Sequence, residues 1–253
     1  MDDAALLDLA AALAWEAAEV ILALRARGVA TEVKADASPV TEADRQSERV
    51  IVAGLRRATP AIEVVAEEEV SAGHVPAEAE MFWLVDPLDG TRDFVALRDG
   101  FCVNIGLVRA GRPVLGVVAV PAAACVYGGI VGHGAWREGG AGRQAIGVRR
   151  APESGLVVLA SRHERDEGAL SGVLGGELVG RVLPMGSAVK FCRIAEGQAD
   201  AYARLGRTME WDTAGPEAVL EAAGGRLRTL DDDVLPYGKA GWANPPFVCR
   251  GAR

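Results

Sequence analysis

Residues 83–94 read WLVDPLDGTRDF, an order of residue types that dictates a strand, a rigid turn and a short helix. Phe82–Val85 is a short apolar run, fit for a buried strand, and it ends at Asp86. Pro87 fixes one backbone torsion and offers no N–H. Asp89 comes three residues after Asp86, and Gly90 lets the chain turn sharply. Thr91 then stands near the start of a short helix over 91–98. Such a turn can aim two carboxylates and a backbone carbonyl into one small volume, as hard cations such as Mg²⁺ require. The N–H groups that follow can receive a phosphate oxygen. Asp-Pro or Asp-Gly alone is an ordinary surface turn, so the argument rests on the whole string.

Other segments supply further acids. Glu67 and Glu68 follow the strand predicted over Ile62–Ala66; Glu67 is the candidate to bridge a second ion, with Glu68 a supporter or a solvated neighbour. In MEWDTAGPEAV, residues 209–219, Asp212 stands where a helix begins, so it either caps that helix or ligates a metal. In GSAVKFCRIAEG, residues 186–197, Gly186 and Ser187 precede a helix whose first N–H groups can bind an anion, and Lys190 reaches either a phosphate or solvent. Thr41 and Asp44 make a capping-box-like start to a helix. Asp44 there favours the helix dipole, or orients Thr91 so that its hydroxyl holds a water in line with phosphorus.

Around these pieces the 253 residues are 50% hydrophobic and 25% charged, which suits a globular enzyme and excludes a disordered chain. A formal net charge of -8 without an evident basic patch argues against a nucleic-acid surface. It remains compatible with a phosphorylated small molecule, because bound cations invert the local field. Cys102, Cys125, Cys192 and Cys249 are far apart, which predicts reduced, buried thiols in a cytoplasmic protein. Residues 3–27 form an Ala- and Leu-rich helix stopped by Gly28; its acidic start and interrupting Asp8, Glu16 and Glu19 argue against a signal peptide or membrane span. The pattern further predicts a loop or strand pair over 31–40, a helix face of Ala43, Ser47, Val50, Ile51, Gly54 and Leu55, and a mobile loop over 70–80. Strands follow at Phe101–Arg109, Val114–Val120, Cys125–Val131 and Gly134–Arg137, then an exposed Gly-rich stretch over 138–147. The second half reads as strands at Leu156–Ala160, Leu178–Leu183 and Ala201–Ala203, with helices over 165–174, Ser187–Ala195 and Asp212–Ala223.

DPLDGT at 86–91, WDTA at 211–214, SPVTEAD at 38–44, AEEE at 66–69, SRHE at 161–164 and GSAVKFC at 186–192 occur in one order along the chain. In these motifs it resembles the inositol monophosphatase superfamily, and within it the CysQ-like 3′(2′),5′-bisphosphate nucleotidases. The resemblance implies a layered α/β sandwich, α-β-α-β-α, of the inositol monophosphatase and fructose-1,6-bisphosphatase type. It implies an N-terminal half, 1–124, carrying most metal ligands and a C-terminal half, 125–253, carrying Asp212 and the substrate contacts. The implied metal ligands are the carboxylates of Glu67, Asp86, Asp89 and Asp212 and the Leu88 carbonyl. Asp44, Glu67 and Thr91 are implied to be catalytic. Gly90, Thr91, Gly186, Ser187, Lys190, Arg204 and Asp212 are implied to face the substrate. Three departures stand out. WDTAGP replaces the usual WDxAAG and alters the first helical turn. Arg204 stands where inositol monophosphatases place a Glu, and a guanidinium suits a second phosphate better than a polyol. His163 is shifted by one place from the nucleotidase pattern, in which the matching residue faces base or ribose.

The function so implied is Mg²⁺-dependent hydrolysis of adenosine 3′,5′-bisphosphate (PAP) to AMP and phosphate, with two Mg²⁺ ions, a third left open, and inhibition by Li⁺. The alternatives are an inositol-1-phosphate or fructose-1,6-bisphosphate phosphatase, and a non-catalytic sensor of metal or phosphometabolite. No nucleic-acid partner or membrane span is expected; a peripheral membrane contact and a homodimer stay open.

Overall fold

In the strands that lead to the Asp86 turn, neighbouring residues enter opposite cores. Trp83 and Val85 pack with the N-terminal helices, Phe82 and Leu84 with the C-terminal ones. A sheet covered on both faces needs apolar residues at every position, so these strands read as unbroken hydrophobic runs. The computed structural model describes residues 1–28, 31–33, 39–162 and 172–252. Near the N-terminus, β1 (Thr31–Val33) pairs antiparallel with β2 (Pro39–Thr41). The main sheet holds β3 (Glu63–Ala66), β4 (Met81–Asp89), β5 (Cys102–Arg109), β6 (Arg112–Val120), β7 (Cys125–Ile130), β8 (Gly134–Gly139) and β9 (Gly142–Ile146), in sequence order. β3 and β4 run parallel, and the remainder is an antiparallel meander.

Helices α1 (Asp3–Arg27) and α2 (Glu42–Ala58) cover one face of this sheet. Gly28 ends α1 with φ +90°, and Thr41 with Asp44 completes the capping box that starts α2. The buried face of α2 also takes in Asp44, Glu48 and Val52, while Val50 is only half-buried. Two short helices, α3 (Glu67–Ser71) and α4 (Thr91–Val95), lie at the ends of β3 and β4. On the other face lie α5 (Val189–Ala195) and α6 (Ala214–Ala222). The α6 backbone rests directly on the sheet: a Cβ at Gly106 would meet the Gly215 nitrogen at 2.4 Å. Beyond these helices is a second sheet, ordered β11-β10-β12-β14-β13, from β10 (Leu156–Ser161), β11 (Val179–Met185), β12 (Ala201–Arg204), β13 (Arg226–Thr229) and β14 (Phe247–Arg250). The order helix, sheet, helix, sheet is the layered α/β sandwich expected. The outer helix expected over 165–174 falls mostly outside the described residues.

Several boundaries differ from expectation. The division after residue 124 falls between β6 and β7, hydrogen-bonded neighbours of one sheet, because a 3₁₀ turn at Pro121–Ala123 folds β7 back onto β6. The chain leaves that sheet only after Ile146. The 138–147 stretch is largely exposed, yet it holds the end of β8 and all of β9, paired to each other. The closing strands β13 and β14 were not anticipated. All four cysteines are buried free thiols. Among the described residues no helix is long and apolar enough to cross a membrane.

Candidate active site

Asp86 pairs with Asn104 and Asp89 with Cys102, so β4 takes three steps where β5 takes two. This bulge falls at Pro87, which has no N–H to give the ladder. Asp86 Oδ1 accepts the Leu88 N–H at 3.0 Å, and the Leu88 carbonyl accepts the Thr91 hydroxyl at 3.0 Å. Gly90 has φ +90°, and a Cβ there would come within 2.6 Å of the Gly100 carbonyl oxygen. Only glycine meets both demands.

From α2, Asp44 meets this turn. Its Oδ1 accepts the Thr91 hydroxyl at 3.1 Å, while its Oδ2 accepts the Thr41 N–H and hydroxyl, each at 2.7 Å. The capping box and the Thr91 contact thus use opposite oxygens of one carboxylate. One turn along α2, the Ser47 hydroxyl lies 3.1 Å from the Pro87 carbonyl, its one proton shared with the Ala43 carbonyl at 2.6 Å and the Asp44 carbonyl at 3.1 Å.

Glu67 follows β3 directly, as expected, and is the first residue of α3. Asp212 is placed differently from expectation. It ends a 3₁₀ turn, Glu210–Asp212, and its carboxylate accepts the Met209 N–H at 2.8 Å. It therefore caps that turn and not α6, which begins only at Ala214 after the non-helical Thr213.

These four acids interact electrostatically. Burial pushes the Asp86 carboxyl well above the usual carboxylate range, and Glu67, Asp89 and Asp212 add repulsion. Asp212 rises to about 8, chiefly by burial and then through Asp89 and Glu67. Asp89 is raised by burial, with Lys190, the Ala188 N–H and Arg204 opposing the shift. Among the described residues no group of three or more His, Cys, Asp or Glu side chains is closed around a point that could hold an ion. The set nevertheless fits a hard divalent cation in chemistry: all its donors are oxygen, and Lys190 and Arg204 do not offset the burial and repulsion that raise Asp86, Asp89 and Asp212.

A cleft of about 330 Å³ is lined by Glu67, Asp89, Gly90, Thr91, Gly186, Ser187, Lys190, Arg204 and Asp212. Asp86 lies buried behind it. The Ala188 N–H donates to Asp89 Oδ2 at 2.5 Å and ties the two sides of the cleft together. Ser187 holds a left-handed φ of +51°. Lys190 is only 3% exposed, so the solvent alternative does not hold. Its ammonium donates to the Ser187 and Met185 carbonyls at 2.6 and 3.3 Å and lies 4.7 Å from the Tyr202 ring centroid. A wider groove of about 710 Å³ runs along α2, but it includes none of Asp86, Asp89 and Asp212.

The sequence model of the inositol monophosphatase family matches residues 2–247. The chain belongs to the inositol monophosphatase family. Within it the resemblance is to CysQ. The 3′(2′),5′-bisphosphate nucleotidase CysQ of Salmonella typhimurium is 41% identical over 215 residues, covering 85% of this chain and 86% of that protein. The protein of the same name from Escherichia coli K12 is 39% identical over 215 residues, with the same coverage. The crystal structure of CysQ from Bacteroides thetaiotaomicron, a bacterial member of the inositol monophosphatase family, superposes with a TM-score of 0.81 at 31% identity, covering 98% of each chain. An inositol monophosphatase from Anabaena gives a TM-score of 0.76 at 29% identity, covering 97% of this chain and 90% of its own.

As a CysQ-like phosphomonoesterase of the inositol monophosphatase family, the chain carries site features that the motif reading passed over. Glu48 is buried behind α3. It follows Asp44 by four residues, the spacing that puts both on one helix face, but a buried acid is not what an apolar-face reading searches for. Asp93, also buried, binds Arg162 at 3.2 Å and Arg98 at 3.3 Å beside Gly186. His163 lies outside the described residues.

Proposed function

We propose that this family member is a Mg²⁺-dependent 3′(2′),5′-bisphosphate nucleotidase that converts PAP to AMP and phosphate in the cytoplasm. The supporting observation is the pairing, in one cleft, of the Glu67, Asp89 and Asp212 acids, with Asp86 buried behind them and repelled by all three, with the Arg204 guanidinium, near enough to Asp89 to oppose its pKa rise. Identity of 41% to a protein named for that activity supports the same reading. Glu67, Asp86, Asp89, Asp212 and the Leu88 carbonyl would hold magnesium. When bound, Mg²⁺ supplies positive charge to the phosphoryl group and acidifies the attacking water.

The chain's own groups orient the reaction. The Thr91 hydroxyl has one proton, and donating it to Asp44 leaves its lone pairs free to accept from a water. With Glu67 it holds that water for in-line attack on phosphorus. Arg204 holds the phosphate that is not cleaved, and Lys190 keeps the Gly186–Ser187 loop against Asp89. No covalent enzyme intermediate is required.

The test is a phosphate-release panel of PAP, inositol-1-phosphate and fructose-1,6-bisphosphate, with Mg²⁺ and with Mg²⁺ plus Li⁺. PAP should be turned over fastest, and Li⁺ should suppress the rate. Preference for inositol-1-phosphate would defeat the nucleotidase assignment. Binding without Mg²⁺-dependent turnover would mark a sensor.

A further inference from the structure

The groups of the site arrive on separate elements, and α2 touches three of those elements from one stripe. Asp44 accepts from Thr91, the Ser47 hydroxyl lies within 3.1 Å of the Pro87 carbonyl, and Glu48 reaches α3. Glu48 is 5% exposed, and its two oxygens accept the N–H groups of Glu68 at 2.7 Å and Glu69 at 3.0 Å. These are the second and third residues of α3, whose N–H groups have no carbonyl partner within their own helix. Ala66, which precedes α3, has no side-chain oxygen to cap it. A carboxylate from another helix therefore fills the place of an N-cap side chain. Further along α2, Arg56 grips Glu69 through both terminal nitrogens, at 2.8 and 2.7 Å. The short helix is thus clasped twice, with Glu67 at its first position. A buried carboxylate is costly to desolvate, whereas an apolar side chain in its place would leave two N–H groups unpaired.

We propose that Glu48 is the positioning residue for Glu67: by capping α3 from α2 it fixes the first turn of that helix and holds the Glu67 carboxylate at the acid cluster. The proposal rests on the reading of Glu67 as a metal ligand.

The experiment compares the full-length wild type with Glu48→Ala, Glu48→Gln and Glu67→Gln. Hydrogen–deuterium exchange of the 64–72 segment, without metal, reports the cap, and calorimetric titration with Mg²⁺ reports the ligand set. Glu48→Ala should speed exchange of the 67–71 amides about tenfold. It should also weaken Mg²⁺ binding by about 10–100-fold. Glu48→Gln keeps one acceptor oxygen and should fall between; if the alanine variant does not fold, the glutamine variant is read in the same two measurements. Unchanged exchange, or a Mg²⁺ Kd within about twofold of wild type, overturns the proposal. If Glu67→Gln leaves Mg²⁺ binding unchanged, the ligand reading is what fails, and exchange still decides whether Glu48 caps α3.

Discussion

Replacing Thr91 with valine removes one hydroxyl and keeps the shape. In the folded protein that hydroxyl has one proton and two acceptors within reach, Asp44 Oδ1 at 3.1 Å and the Leu88 carbonyl at 3.0 Å. Asp44 keeps its two bonds from Thr41, so the buried acid is not left unpartnered. The stability cost is therefore that of one hydrogen bond, about 1–2 kcal/mol. The catalytic cost should be larger. If the hydroxyl positions the attacking water and mediates its proton, its loss removes about 10²–10⁴ in rate, or about 3–5 kcal/mol of transition-state stabilisation. The assay is phosphate release from PAP at saturating Mg²⁺, with kcat and KM measured separately, beside urea unfolding of the same samples. The expected result is a large fall in kcat, little change in KM and a small loss of stability, with Thr91→Ser recovering most of the rate. A kcat within about fivefold of wild type would match the structural cost alone and refute the catalytic reading.

Gly90→Ala should destabilise the protein by about 2–6 kcal/mol and silence it, since the residue combines positive φ with a backbone oxygen in the place of a Cβ. A thermal midpoint within about 2 °C of wild type would contradict this. Glu217 is fully buried against Arg112 and Tyr237, and burial raises its pKa from 4.5 to about 8. The unfolded chain releases this proton near pH 4.5 and the folded one only near 8, so the stability it confers is fully present below pH 4.5. It falls by up to about 5 kcal/mol as pH rises to 8. Urea unfolding of wild type and Glu217→Gln should give a difference that shrinks across this window; a flat difference shows that burial does not control the group.

What the sequence determined by itself was local. The Asp86 turn, the Thr41–Asp44 capping box, the Gly28 stop and the run of sheet strands from Phe82 to Arg137 all follow from torsional limits, short-range hydrogen bonds and hydrophobic period. DPLDGT and WDTA also mark the family independently of any tertiary contact. Tertiary structure decided which distant groups meet. Nothing near Lys190 in sequence says that its ammonium will be buried 4.7 Å from the Tyr202 ring centroid, nor does anything near Asp212 say that Asp89 and Glu67 will raise its pKa. Nothing in the helical period of 42–58 singles out Glu48; it matters only because α3 lies across it with two N–H groups to satisfy. The pairing of β13 with β14 likewise depends on a partner far along the chain. A residue's own neighbours set its torsions and capping, but burial, charge repulsion and hydrogen-bond satisfaction are fixed by whatever folding packs against it.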